Sequence, residues 1–214
     1  VYNHAYDVAW SPHGQYLALG NANKELQVYR FIPPMLGGGQ EMIIEDLVIS
    51  LADTIVLNKP LRVHGSCAII GNGDNAIIFQ QAGSIIIDAD SQLTLRAINV
   101  KNCAKDLIRC HDNTGVLRCD NVQLNVVDDV QWNYGSLHFY NTVSLIGNKL
   151  FSYQSNVASL VNVQSTLSFV NGMTLYYNPQ SSSNQQLVMC VDKTSTIVFD
   201  QSNIQISTVG MQLT

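Results

Sequence analysis

Ser91–Asn102 reads SQLTLRAINVKN, and versions of this stretch return four more times. They are Leu117–Leu124 (LRCDNVQL), Leu137–Leu145 (LHFYNTVSL), Leu167–Leu175 (LSFVNGMTL) and Ile197–Ile206 (IVFDQSNIQI). Each opens on an apolar residue, one spacer and a second apolar residue. A polar kink follows, often carrying Asn, and then another alternating apolar pair. Apolar residues at every second position share one face of a β-strand, not of a helix. The first apolar residues, Leu93, Leu117, Leu137, Leu167 and Ile197, recur at separations of 24, 20, 30 and 30 residues. Recurrence on that scale marks stacked repeats. The stretch predicts an all-β chain built as a β-solenoid, specifically a right-handed parallel β-helix, with these five residues in equivalent places.

The flanking sequence repeats the pattern in smaller pieces. Thr54–Leu57, Leu61–Val63, Ala68–Ile70, Ala76–Phe79 and Ser84–Ile87 are strand-like runs of three to four residues, broken by Asn58-Lys59-Pro60, Gly65-Ser66 and Gly71–Asn75. Corners this frequent suit a coil of three faces and not a sandwich, whose strands are longer. Leu107–Cys110, Val116–Cys119 and Val122–Val126 read as one coil, and Val130–Trp132, Leu137–Phe139 and Val143–Ile146 as the next. Leu150–Tyr153, Leu160–Val163, Leu167–Phe169 and Met173–Tyr177 group as a longer coil. Leu187–Val191, Ile197–Phe199 and Ile204–Ile206 group as the last, after a polar insertion at Pro179–Gln186. Asn121, Asn141, Asn171 and Asn203 align as a ladder at the kink before the third strand, because Asn tolerates left-handed backbone and can bond a neighbouring turn.

Residues 1–31 have a different texture. Asp7–Trp10, Tyr16–Leu19 and Glu25–Phe31 are three strand patterns joined by the turns Ser11-Pro12-His13-Gly14 and Gly20–Asn23. Ala9-Trp10-Ser11-Pro12 and Tyr16-Leu17-Ala18 make this segment resemble the last three strands of a WD40 repeat. His13 stands where that family usually has Asp, and Val28-Tyr29 or Tyr29-Arg30 replaces its closing Trp-Asp. The resemblance implies a β-propeller blade with Trp10, Leu17, Leu19 and Val28 in its core, and protein binding as its role. One blade cannot close a propeller, so a longer parent protein is expected, as it is from a chain that opens on Val1. Residues 32–40 (IPPMLGGGQ) read as a Pro/Gly linker, and residues 41–214 as the parallel β-helix.

With its stacked Asn-bearing corners, the region of roughly residues 45–210 resembles the pectate-lyase-like β-helix family in pattern. That resemblance implies polysaccharide lyase or glycoside hydrolase chemistry as one alternative. Such chemistry needs an acid and a base flanking the scissile bond, and Asp128-Asp129 is the sharpest carboxylate pair available. Trp132 and Tyr134, with Tyr140, Tyr153, Tyr176 and Tyr177, could stack on sugars, since such rings pair an apolar face with a polar tip. Asp128, Asp129, Trp132 and Tyr134 are therefore the candidate binding residues. The Asn-Thr-Asp, Gly-His-Gly and Arg-Ile-Lys motifs of polygalacturonases do not occur. Asp88, Asp90, Asp112 and Asp120, with Arg96, Arg109 and Arg118, are further charged residues whose alignment depends on register. Gly71-Asn72-Gly73-Asp74 occurs once, whereas calcium-binding repeats of that kind work in tandem.

Composition narrows the partners. The 214 residues carry 16 acidic and 11 basic side chains, a formal net charge of −5. A general nucleic-acid binder needs a basic stripe to release counterions, so no nucleic-acid partner is expected. No apolar run reaches the length of a membrane span. Five cysteines without CxxC spacing, and histidines without paired spacing, read as buried thiols and corner residues; no metal or other cofactor is expected. The reading that results is a non-catalytic interaction or surface-scaffold protein with protein partners. A glycan-binding module or a pectate-lyase-like enzyme is the alternative. Polar, Lys-poor rungs suggest a secreted or cell-surface location.

Overall fold

A computed structural model describes residues 41–51, 53–179 and 188–207, together with the backbone of three strands before them. Those three are β1 (Ala5–Trp10), β2 (Tyr16–Asn21) and β3 (Leu26–Arg30), an antiparallel sheet in the order β1-β2-β3. The three strand patterns expected before residue 32 are thus strands. The linker at 32–40 and the insertion at 180–186 lie outside the described residues.

From Met42 the chain coils, and each coil gives a strand to each of three parallel walls. β4 (Met42–Glu45), β5 (Val48–Ser50) and β6 (Ile55–Leu57) form one coil. β7 (Pro60–His64), β8 (Ser66–Ile70) and β9 (Ala76–Phe79) form the next. In the following three coils the second and third strands merge into one bent strand. These coils are β10 (Ser84–Ile87) with β11 (Gln92–Cys103), β12 (Ile108–Cys110) with β13 (Val116–Val126), and β14 (Val130–Trp132) with β15 (Ser136–Ile146). The strands then separate again as β16 (Leu150–Tyr153), β17 (Ser159–Val161) and β18 (Thr166–Val170), then β19 (Thr174–Tyr177), β20 (Val188–Cys190) and β21 (Thr196–Asp200). β22 (Asn203–Ile206) opens one more coil. The second wall runs β5-β8-β11-β13-β15-β17-β20 without a break. All these pairings are parallel, so the expected parallel β-solenoid is the fold.

The corners explain why the long strands bend. Asn121 and Asn141 both sit at φ 53°, and Ala97 takes the same left-handed geometry, φ 50°, one coil earlier. Asn141 Nδ2 donates to Asp120 Oδ1 of the coil before at 2.6 Å, and Asn121 Oδ1 accepts the Thr142 amide at 3.3 Å. An Asx-type cap secures other corners. Asp112 Oδ1 accepts from the Thr114 amide (2.8 Å) and hydroxyl (2.7 Å), while Thr114 Oγ1 accepts the Asp90 amide of the neighbouring coil at 2.6 Å. Asp192 and Thr194 repeat this arrangement against Gln164. The hydroxyl and amide of the threonine hold both aspartates below the usual carboxylate range.

Inward residues form columns along the axis, and the register corrects one sequence expectation. Cys67, Leu93, Leu117 and Leu137 stack on the second wall. Leu167 and Ile197 do not continue that column. They stack on Ile98, Val122 and Val143 of the third wall. Likewise β19 begins a new coil instead of closing the previous one, and Asn171 lies one corner beyond Asn121 and Asn141. The parallel column Val100, Leu124, Leu145, Phe169 and Phe199 ends on stacked rings, the last two 5.1 Å apart and 8° from parallel. Leu93, Leu95 and Val100 are fully buried, and each such side chain contributes roughly 1.5–3 kcal/mol by leaving water.

The first wall alone is split. It consists of two four-stranded sheets, β4-β7-β10-β12 and β14-β16-β19-β22, with no pairing between β12 and β14. Most Cα pairs across that seam lie beyond 8 Å, against roughly 4.8 Å for bonded neighbours. The inward column accounts for it. Before the seam it is Ile44, Val63, Ile87 and Cys110; after it, Trp132, Tyr153, Tyr177 and Ile206. Three successive large rings widen the coil where a thiol ends the slimmer stack. Tyr153 and Tyr177 stack at 5.8 Å and 4°. Walls two and three stay bonded, so the difference in girth opens the first.

Candidate functional site

Asp128 and Asp129 occupy the exposed turn between β13 and β14. Asp128 Oδ1 accepts the Asp129 amide at 2.8 Å, and Asp129 Oδ1 accepts the Leu150 amide of the next coil at 2.9 Å. Each carboxylate therefore caps backbone, and the second ties two coils together. Trp132 is in the core, 3% exposed, with its indole N–H donated to the Gly135 carbonyl at 3.0 Å. Its ring is not presented on an outer wall. Tyr134 is exposed at 45%. The four candidates are close in sequence but do not share one surface.

Two charged groupings emerge that sequence spacing did not bring together. On the first wall Arg62 Nη1 lies 2.5 Å from Asp88 Oδ1 and its Nε 3.2 Å from Glu41 Oε2. His64 Nδ1 lies 3.1 Å from Asp88 Oδ2. That oxygen is buried and has no well-aligned hydrogen bond, so the His64 contact is a proximity and not a directed bond. Hydrogen bonding to Glu41 is the largest influence holding the Arg62 guanidinium charged, and Asp88 adds to it. The grouping binds three coils to one another. Glu41 and Asp88 lie 21 and 26 residues from Arg62, on the coils before and after it, which is why only the register reveals the grouping.

The second grouping lies on the second wall, where β11, β13 and β15 are in register. Arg96 pairs with Asp120 and Asp120 with Tyr140; Thr94 pairs with Arg118 and Arg118 with His138. Strand alternation turns all of these side chains outward from Leu95, Cys119 and Phe139. Arg118 Nε is buried and has no hydrogen-bond partner among the described residues. Partial burial, and then the Arg118 charge, push the His138 imidazole below its ordinary value. A cation, an imidazole, a phenol and a carboxylate thus stand within two strand spacings on one wall.

The seam is the third feature. Beside it lies an apolar cleft lined by the half-buried Leu107, Ile108 and Val130 and by the buried Cys119, Trp132 and Phe139. Small thiols leave this part of the core thin. Burial pushes the Cys103, Cys110 and Cys119 thiols up to about 12, so they act as apolar groups at neutral pH. Four of the five cysteines are buried and unpaired, and Cys190 is exposed. Among the described residues, no three His, Cys, Asp or Glu side chains stand together in a way that would hold a metal ion. No helix there is long and apolar enough to cross a membrane.

Comparison with family models, with curated proteins and with solved structures finds no match to this chain. The side-chain geometry is therefore the basis of the functional reading.

Proposed function

We propose that the chain is a non-catalytic interaction scaffold, a rigid solenoid that presents its second wall to a protein partner at a cell surface or outside the cell. One observation carries the reading: six aspartates on the coil surfaces are engaged in holding corners and coils together. Asp46 accepts the Ser66 amide, Asp88 meets Arg62, Asp112 and Asp192 cap corners, Asp120 accepts from Asn141, and Asp129 accepts the Leu150 amide. An acid or base so engaged loses its ties when it moves a proton. The outward Arg96, Arg118, His138 and Tyr140 side chains of two adjacent rows, by contrast, have donor capacity left over and the mixed polar and aromatic character of a recognition surface. The proposal includes the finer assignments. Strands β1–β3 would be a WD40 blade of a longer protein, and the coils a right-handed, pectate-lyase-like helix, the hand that parallel crossovers favour.

The second reading is a glycan-binding module, favoured by Arg118 and Tyr140 on neighbouring strands of the same wall. Incubating the full chain with neutral and uronic-acid polysaccharides, with calcium and after chelation, separates the readings. The scaffold predicts neither turnover nor retention. Retention without turnover, lost in Arg118→Ala, would move the assignment to glycan binding. Release of unsaturated or reducing sugar ends would overturn both.

A further inference from the structure

We infer that the seam between β12 and β14 is a strand-acceptor site, taking an extended peptide that alternates apolar and charged residues. The inference rests on the scaffold reading and names a docking mode for it. In a parallel ladder, alternate residues of a strand bond to opposite neighbours. The Ile85 amide bonds to the Leu107 carbonyl and the His111 amide to that of Ile87. Leu107, Arg109 and His111 are thus turned to β10, which leaves Ile108 and Cys110 to direct their N–H and C=O groups across the seam. On the other side the Gln154 amide bonds to the Trp132 carbonyl. Val130 and Trp132 face β16, so Gln131 faces the seam. Two strand edges with unused donors and acceptors therefore look at each other across a separation mostly beyond 8 Å. One inserted strand needs about twice the 4.8 Å spacing.

The cleft supplies the side-chain half of the site. It holds about 530 Å³ including its open mouth. Its enclosed part has the space of about three waters, close to one Val or Leu side chain. A peptide strand puts alternate side chains on opposite faces, so a residue directed inward must be apolar. The residues beside it point outward between lips of opposite sign. Lys105 and Asp106 precede β12 and Arg109 lies within it, a formal charge of +1, while Asp128 and Asp129 precede β14 with a formal charge of −2. Both signs on the peptide complement those lips. A hydrocarbon alone would fill the cavity but leave the Ile108 and Gln131 backbone unpaired. A peptide satisfies both, as in strand addition generally.

The test uses the full chain and the blocked peptide acetyl-Lys-Leu-Glu-Ala-Lys-amide, whose single leucine matches the space in the cleft. Binding is followed by Trp132 fluorescence and by amide hydrogen exchange. In the free chain the Ile108 and Gln131 amides exchange faster than their neighbours in β11 and β15. The peptide slows both and shifts the Trp132 emission. Replacing the peptide leucine with alanine weakens binding at least about tenfold. Gln131→Pro removes an edge N–H where proline is tolerated, and weakens binding by at least about the same factor without lowering the melting temperature. Cys119→Leu, which fills the cavity from inside, serves as the second variant and does likewise. Free-chain exchange at Ile108 and Gln131 as slow as in β11, no response to the peptide, or unchanged affinity in both variants would overturn the inference. So would benzene binding at Trp132 while the peptide protects neither amide. None of these outcomes touches the second wall, so the scaffold reading would stand; sugar turnover would sink that reading and leave the seam result intact.

Discussion

Tyr153→Phe is the sharpest test of how the wide half of the solenoid is held together. Tyr153 is fully buried, and its ring lies over Tyr177. Its hydroxyl donates to the Val157 carbonyl and meets Ser159 Oγ at 2.9 Å. Ser159 Oγ in turn accepts the Leu137 amide of the neighbouring coil at 2.8 Å. Removing one oxygen atom keeps the ring stack and the volume but leaves the Val157 carbonyl without its donor. An unsatisfied buried polar group costs about 1–3 kcal/mol. For a chain of this size, that corresponds to a fall of roughly 2–12 °C in melting temperature. The assay is thermal unfolding followed by circular dichroism, with Tyr176→Phe as control, because Tyr176 is the outward neighbour of Tyr177 on β19. The control is expected within about 0.5 kcal/mol of the parent. If Tyr153→Phe also melted within about 1 °C of the parent, the buried hydroxyl network would not be holding the Gln154–Ser159 loop to the coil.

Four further outcomes follow from the same geometry. Phe169→Ala removes the ring between Phe151 and Phe199, at 6.3 and 5.1 Å, and should cost about 3–5 kcal/mol in urea unfolding. Gly135→Ala should cost more than about 2 kcal/mol: Gly135 has φ +73°, and an added Cβ would stand 2.4 Å from the Gly115 carbonyl oxygen and 2.6 Å from Cys110 Sγ. Asp129→Ala frees the Leu150 amide, and its exchange rate should rise while those of β11 stay unchanged. The depressed folded-state value of His138 means that its contribution is complete above the unfolded value of about 6.5 and is lost as pH falls through the folded one. Melting temperature should therefore fall as pH drops below about 6.5, and fall less in His138→Gln, which carries no proton to place beside Arg118.

Period and corner residues made the coil legible: Leu93, Leu117 and Leu137 do stack, and the coils beginning at Leu107 and Val130 are bounded as their patterns indicate. Register beyond β15 was not legible, for a physical reason. The second and third walls both alternate with period two and both carry Leu, Val and Phe inward. A motif such as LSFV therefore fits either wall. The short β17, Ser159–Val161, is the true second-wall strand of its coil, and its weak pattern let Leu167 be placed there instead. Asn171 shifted for the same reason. The charged groupings were hidden because Arg62 with Asp88, and Arg118 with His138, meet only across coils. The seam was least visible of all. It depends on Cys110 giving way to Trp132 in one inward column, a change of girth that no local pattern expresses.

The parallel in-register stack is the foundation of the account, and disulfide trapping tests it most directly. Gln123 of β13 and Ser144 of β15 are register partners on an outward row. Their Cα atoms should therefore stand at the spacing of bonded strands, roughly 4.8 Å, inside the range a disulfide spans. In a Cys190→Ser background, Gln123→Cys with Ser144→Cys should oxidise to an intramolecular disulfide, while Gln123→Cys with Thr142→Cys, two residues out of register, should stay reduced. Closure of the second pair in preference to the first, or of neither, would contradict the stacked coil.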